Sequence, residues 1–444
     1  MPPKQPDLPL PAHPDVDSML SRKFGREVAN YFSGSPLNRL GFLRADHVFL
    51  GRALKHPSTS FMLCKDLQPL VQSSDNKKLK YVNFEDVKPI IGEEPYARNE
   101  KEMQAQYNSE EVVPQMIFLG IDESVKDGLD YQGKNRYVGA PFFAVDVTPR
   151  GNVKEACEEL IKRVETGGVQ FGKGRVMELE ASDGMFARDL DVGLRGFCVN
   201  KATAAIYAEA RQLLDWNARN PFCAQCGQPT MSVNGGFKRV CPSTDLAKKA
   251  AAPLSTTAAA PANTNERPPC ATRTGVSNVS FPRTDPTVIM AVVNHKGDKI
   301  LLGRQKRWPP YWYSTLAGFA EPAESIEEAV RREVYEEAGI FVGRVVIHST
   351  QPWPYPANLM IGAVGQAVPE GETIDLGNDP ELDDAKWFDF AVVREALRVG
   401  TSGLGDPAGP EYKEGGLRLP PSTAIAHQLI SSVVAGFVGT DSKI

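Results

Sequence analysis

Apolar positions along the chain fall into blocks whose spacing changes from two to between three and four. Ile117-Phe-Leu-Gly120 and Phe142-Phe-Ala-Val145 are short apolar runs between turn residues, which predicts strands. From Ala202 to Trp216, apolar residues at Ile206, Ala210, Leu213 and Leu214 have helical spacing, and Asn220-Pro221 ends the run. Val288 to Val293 and Ile300 to Leu302, joined across Asn294 to Asp298, predict a hairpin. A helix is predicted from Ser325 to Ala338, strands at Arg344–His348, Leu359–Val368 and Lys386–Phe388, and a closing helix near Ser422–Val438. The polar stretch Gly92 to Glu111 predicts an exposed loop, and no internal repeat is visible.

Composition adds a domain count and excludes several classes. At roughly 150 residues per domain, 444 residues suggest about three domains. Apolar residues at 41% and charged residues at 24% are ordinary for a globular chain, so wholesale disorder is not expected. A net charge of −5 argues against a surface built chiefly to hold nucleic acid. Seven cysteines are too few for a disulfide scaffold, so a reducing compartment is expected. No apolar run is long enough to span a bilayer, so no membrane partner is expected. Residues 1–26 read as a mobile proline-rich tail, and Ser442-Lys443-Ile444 differs in one residue from a peroxisomal address. Localisation is therefore read as peroxisomal, through an import receptor, or cytoplasmic.

The strongest chemistry lies on the helix after Ser325. Ser325 and Glu328 form a capping box, and Gly339 is placed to end the helix. Ile326, Ala329, Val330 and Val334 form an apolar stripe. Glu333 and Glu337 fall inside that stripe, four residues apart, and Glu336 lies at its edge. Two like charges at this spacing repel, and a buried carboxylate without a counter-charge is costly. A divalent cation resolves both problems, and an oxygen-rich site suits Mg²⁺ or Mn²⁺. Glu327 and Glu328 read as solvated. Arg332 can pair with Glu328 and Glu336, or with Glu324 through the loop, and so hold the carboxylates in place.

Gly318, Glu324, Arg332, Glu333, Val334, Glu336, Glu337, Gly339 and Ile340 match every fixed position of the Nudix box, and the chain resembles that family. The resemblance implies a mixed α/β (α+β) fold and hydrolysis of a nucleoside diphosphate linked to a second group. Downstream, Ser349-Thr-Gln-Pro-Trp-Pro-Tyr-Pro-Ala-Asn358 resembles the signature of NADH pyrophosphatases, with Thr350 inserted and Asn358 in place of a serine. Trp353 and Tyr355 offer flat faces for a base, and the bland alternative is a rigid core-packing turn. The resemblance implies substrate contacts at Phe281, Gln351, Pro352, Trp353, Pro354, Tyr355, Pro356, Ala357, Asn358 and Ala426. It implies divalent-metal ligands at Glu333, Glu336, Glu337, Glu381 and the Ala317 carbonyl, with more than one ion, and catalytic roles for Arg332, Glu333, Glu336 and Glu337. It extends weakly to Tyr31–Leu40. It also implies a homodimer.

Cys223-x2-Cys226, Cys241 and Cys270 make a four-thiolate set suited to one structural Zn²⁺. A C-x-x-C redox pair is the rival, without the strand–helix–strand context it needs. The stretch around 243–268, rich in Ala, Thr and Pro, interrupts the set and reads as a disordered insertion. Cys64, Cys157 and Cys198 read as buried thiols. Gly167–Gly174 nearly matches a P-loop but lacks its Ser or Thr, and is expected to be a glycine-rich hairpin.

The expected organisation is a Nudix-like α/β domain at 27–215, a zinc ribbon at 216–283, a Nudix α/β/α sandwich at 284–438 and a tail at 439–444. The expected reaction is hydrolysis of NADH or NAD⁺ to nicotinamide mononucleotide and AMP, with NAD-capped RNA as a further substrate. The alternatives are hydrolysis of ADP-ribose or dinucleoside polyphosphates, and a zinc-ribbon binding module with an inactive Nudix domain.

Overall fold

The computed structural model describes Pro9 and residues 28–133, 135–172, 201–247, 265–274, 281–321, 324–377 and 381–436. The tail at 1–26 (apart from Pro9), Cys198, Lys173, Gly174 and the terminal tripeptide lie outside these residues. The described chain forms two compact units. Residues 35–172 and 206–283 make one, and residues 28–34 and 201–205 join those from 284 onward in the other.

In the first unit, β1 (Ser60–Lys65) lies parallel to β7 (Arg136–Asp146), with Phe61 opposite Phe143. Around this pair, β2 (Gln68–Gln72), β3 (Asp75–Leu79), β4 (Tyr81–Val82), β5 (Met116–Asp122), β6 (Leu129–Gln132) and β8 (Val169–Phe171) complete the sheet. Helices α1 (His47–Lys55), α2 (Phe84–Ile91) and α4 (Lys154–Glu165) contribute buried faces to its core, which includes Phe49, Phe61, Phe118 and Phe143. Cys64 of β1 and Cys157 of α4 are buried, and burial pushes both thiols up. The loop expected at Gly92–Glu111 contains α3 (Glu100–Ala105), nucleated by an Asn99/Glu102 capping box. Val169–Phe171 pairs with β2, so among the described residues this stretch does not fold back on its own glycines as a hairpin.

Helix α5 (Lys201–Arg219) leads into the cysteine module, where β9 (Met231–Val233) pairs with β10 (Lys238–Val240). Within the 243–268 stretch expected to be disordered, residues 243–247 and 265–268 are ordered, and 248–264 lie outside the described residues. Thr244 bridges to Glu266, and Asp245 forms an ion pair with Arg267 in which both side chains are buried.

The second unit is built on a six-stranded sheet. Its spine is β11 (Asp285–Val293) parallel to β15 (Asn358–Ala367), flanked by β12 (Lys299–Gln305), β13 (Leu316–Phe319), β14 (Val342–Trp353) and β16 (Leu382–Asp389). Helix α6 (Ile326–Ala338) packs Ala329, Val330, Val334 and Ala338 into a core shared with Val288, Met290 and Leu301. Helices α7 (Phe390–Val399) and α8 (Ile425–Val434) close the chain; α8 is shorter than the Ser422–Val438 helix expected.

Candidate active site

The site is assembled where α6 crosses β13. Ser325 caps α6 through its hydroxyl while Glu328 returns the bond to the Ser325 amide. Gly339 ends the helix at φ 70°, in the left-handed region that favours glycine. These caps fix the register of the acidic face. Glu337 is 4% exposed, inside the apolar stripe. The Glu333 side chain is 14% exposed and that of Glu336 is 46% exposed.

Arg332 ties this face together. Its Nε and Nη2 donate to the Glu324 carboxylate at 2.7 and 2.9 Å, and Nη2 also reaches the Phe319 carbonyl at 2.8 Å. Its Nη1 donates to Glu333 at 2.8 Å and Glu336 at 3.0 Å. The expected partner Glu328 is instead engaged in the cap. Arg332 is held well above its ordinary pKa, chiefly by Glu324. Glu333 is pushed up, first by burial and also by the charges of Glu336 and Glu381, against the opposing pull of Arg332. A half-buried carboxylate pushed up by burial and by two neighbouring carboxylates is a group whose ionised form a hard divalent cation would stabilise. Gly318 is required here for space, because a Cβ would meet the Glu333 carboxylate at 2.0–2.3 Å.

A cavity of about 370 Å³ opens beside these groups. Its lining has two chemistries. Glu333, Glu337, Glu381 and Arg332 supply charge, with Ala317 beside them; Ile289, Trp308, Trp312, Trp353, Met360 and Ile425 supply apolar surface. Glu381 accepts a hydrogen bond from Gln305 at 2.6 Å. Glu336 does not line the cavity.

From the proline-rich segment, Gln351 and Trp353 reach the cavity, as does Ala426 of α8. Pro352, Pro354, Tyr355, Pro356, Ala357 and Asn358 do not. Tyr355 is 2% exposed and packs edge-on to Trp353, so for this residue the core-packing alternative describes the geometry. Gln351 is 1% exposed and its amide is engaged: it donates to the Tyr31 and Thr423 carbonyls and accepts from the Ile425 amide. Phe281 lies in the other unit, 44% exposed. Sequence reasoning missed Trp308 and Trp312, which stand edge to face at 4.9 Å. The signal was available in Arg307-Trp-Pro-Pro-Tyr-Trp312, an aromatic–proline cluster like the one singled out downstream.

The cysteines of the first unit form a second centre. Cys223, Cys226, Cys241 and Cys270 bring their sulfurs within 4.8 Å of one another. The Cys223 carbonyl accepts from the Gly227 amide at 2.8 Å, with Gly227 at φ 71°, closing a metal knuckle. Arg273 donates to the Cys241 sulfur at 3.5 Å, and Thr272 lies 3.1 Å from that of Cys270. Four converging thiols with such supporting contacts fit tetrahedral Zn²⁺.

Comparison with known proteins agrees with this geometry. Residues 283–403 match a family model described as the NUDIX domain, 218–247 the NADH pyrophosphatase zinc ribbon domain, and 58–216 an NADH pyrophosphatase-like rudimentary NUDIX domain. Whole-chain relatives include the NAD-capped RNA hydrolase NUDT12 of Homo sapiens, 33% identical across 91% of this chain and 73% of that one. The chain belongs to the Nudix hydrolase family. Within that family it carries the zinc-ribbon arrangement of the NADH pyrophosphatases. The NAD-capped RNA hydrolase NPY1 of Saccharomyces cerevisiae is 32% identical, over 92% of this Nudix chain and 96% of its own. That of Schizosaccharomyces pombe is 31% identical, over 91% and 92%. No helix among the described residues is long and apolar enough to cross a membrane.

Proposed function

We propose that this Nudix hydrolase cleaves the diphosphate of NADH and NAD⁺ to nicotinamide mononucleotide, reduced or oxidised, and AMP, with NAD-capped RNA as a further substrate. One observation carries the reading: Glu333 and Glu337 of the box and an apolar wall with three tryptophans line the same cavity. At about 370 Å³ it is at the small end of ligand sites, roughly 300–1,000 Å³. That suits one half of a dinucleotide, with the diphosphate against the carboxylates. The NAD-capped RNA hydrolases to which the chain is similar over most of its length support the capped-RNA part of this reading.

Glu333, Glu336, Glu337, Glu381 and the Ala317 carbonyl would hold the divalent cations, Mg²⁺ or Mn²⁺, which when bound neutralise the diphosphate and make water a better nucleophile. Arg332 holds Glu333 and Glu336 in fixed directions at the cavity wall. Glu337, buried at the cavity wall, would take a proton from the attacking water. Trp353 and Ala426 present surface to a base, and Gln351 holds the α8 entry beside them. Phe281 remains a proposed substrate contact. Pairing into a homodimer, and peroxisomal rather than cytoplasmic location through Ser442-Lys443-Ile444, are proposed on the sequence resemblance alone.

The test is a substrate panel with Mn²⁺ or Mg²⁺: NADH, NAD⁺, ADP-ribose, a dinucleoside polyphosphate and NAD-capped RNA at equal concentration. NADH is expected to have the highest kcat/KM, and Glu337→Gln should lower it by on the order of 10²–10⁴-fold without loss of fold. Preference for ADP-ribose, or wild-type activity in Glu337→Gln, would reject the substrate or the residue assignment respectively.

A further inference from the structure

Residues 28–34 belong to the catalytic unit, although some 250 residues of chain separate them from it. Asn30 is 1% exposed, and its Nδ2 donates to the Ser349 hydroxyl and the Thr350 carbonyl, both at 3.0 Å. The Tyr31 carbonyl accepts from Gln351 at 3.0 Å. Phe32 is 4% exposed and packs edge to face against Trp353 at 5.9 Å and Tyr355 at 6.0 Å. Its φ of 71° is one a phenylalanine rarely adopts, a strain that persists only where surrounding packing fixes it. Every one of these contacts falls on Ser349–Tyr355, the segment that delivers Gln351 and Trp353 to the cavity. Gln351 passes the restraint on, since its remaining bonds hold Thr423 and Ile425 at the entry to α8.

We infer that Asn30-Tyr31-Phe32 is a strap that sets the position of Trp353 and of the α8 entry, so that Asn30 and Phe32 are positioning residues for substrate binding. Neither lines the cavity, and they act through Trp353 and Gln351. The strap fixes the wall against which a flat base rests and leaves the box carboxylates untouched. This rests on the dinucleotide reading above, so the test has one arm with substrate and one without.

The first arm measures NADH hydrolysis by full-length Asn30→Ala, Phe32→Ala and Phe32→Tyr proteins with Mn²⁺. Asn30→Ala and Phe32→Ala are expected to raise KM about ten-fold with kcat within two-fold of wild type, and Phe32→Tyr to restore most of the loss. A fall in kcat at unchanged KM would show only a smaller folded fraction and would overturn the inference, as would unchanged KM in both alanine variants. The second arm needs no substrate. With 5-fluorotryptophan incorporated, the Trp353 resonance (assigned by its loss in Trp353→Phe) is expected to shift or broaden in Phe32→Ala while that of Trp387 stays in place. An unmoved Trp353 resonance would overturn the strap whatever the substrate proves to be. A moved resonance in a chain that does not cleave NADH would uphold the strap and reject the substrate.

Discussion

Arg332 shows what one residue does when its partners come from both sides of a turn. Its fork spans Glu324, Glu333, Glu336 and the Phe319 carbonyl, so the loop before α6, the helix and the end of β13 share one anchor. A lysine has no planar fork and could not hold these directions together. Glu209 in the first unit is a different case. It is 7% exposed, and burial pushes its carboxyl up to about 7 although Arg39, 3.5 Å away, and Arg44 pull it down. A folded pKa raised above the ordinary 4.5 means that the folded chain favours the protonated form. That contribution is full below about pH 4.5 and is lost as pH rises through 7. Glu209→Gln should therefore come closest to wild-type stability at or below about pH 4 and exceed it by up to about 3 kcal/mol at pH 8, read from denaturant unfolding. An advantage equal at both pH values would mean that Glu209 is already ionised in the acid range.

At the scale of elements, α6 against β13 is the pairing on which the chemistry depends, and Gly318 sets their approach. A Cβ there must displace the Glu333 carboxylate, the movable end of a side chain. Gly318→Ala is expected to cost little stability but on the order of 10²-fold in kcat, because an ångström-scale misplacement of a reacting group has that effect. Melting and steady-state rates on the same preparation separate the two; a large loss of stability with full kcat per folded molecule would contradict the account. Helix α6 was legible in the sequence because its cap, stripe and stop are all local. Helix α3 was not, since Glu100–Ala105 has only Met103 and Ala105 among four polar residues, too few for a helical stripe, and only the Asn99/Glu102 cap marks it. The Trp-Pro-Tyr-Pro run was legible as a stiff segment, but which ring faces the cavity depends on β14 and β15, and Tyr355 turns inward while Trp353 lines the wall. The Trp308–Trp312 wall depends on the loop between β12 and β13, and the strap at Asn30–Phe32 on contacts some 320 residues apart, so local pattern encodes neither pairing.

For the molecule as a whole, the two units carry separate metal chemistries. The zinc module is closed, with four converging thiols and ordered flanks on either side of the insertion; the carboxylate site opens onto a cavity. Zinc content should fall from about one per chain to near zero in Cys223→Ser, measured by elemental analysis after exhaustive dialysis, as expected of a closed structural site. Unchanged zinc would reject the ribbon assignment. The central claim is that the chain breaks the diphosphate of a nicotinamide dinucleotide and no other bond in it. Mass spectrometry of NADH incubated with the full-length protein and Mn²⁺ tests it most directly. The account predicts equal amounts of AMP and reduced nicotinamide mononucleotide, abolished by chelation of the divalent ion; release of nicotinamide with ADP-ribose, or recovery of intact NADH, would contradict it.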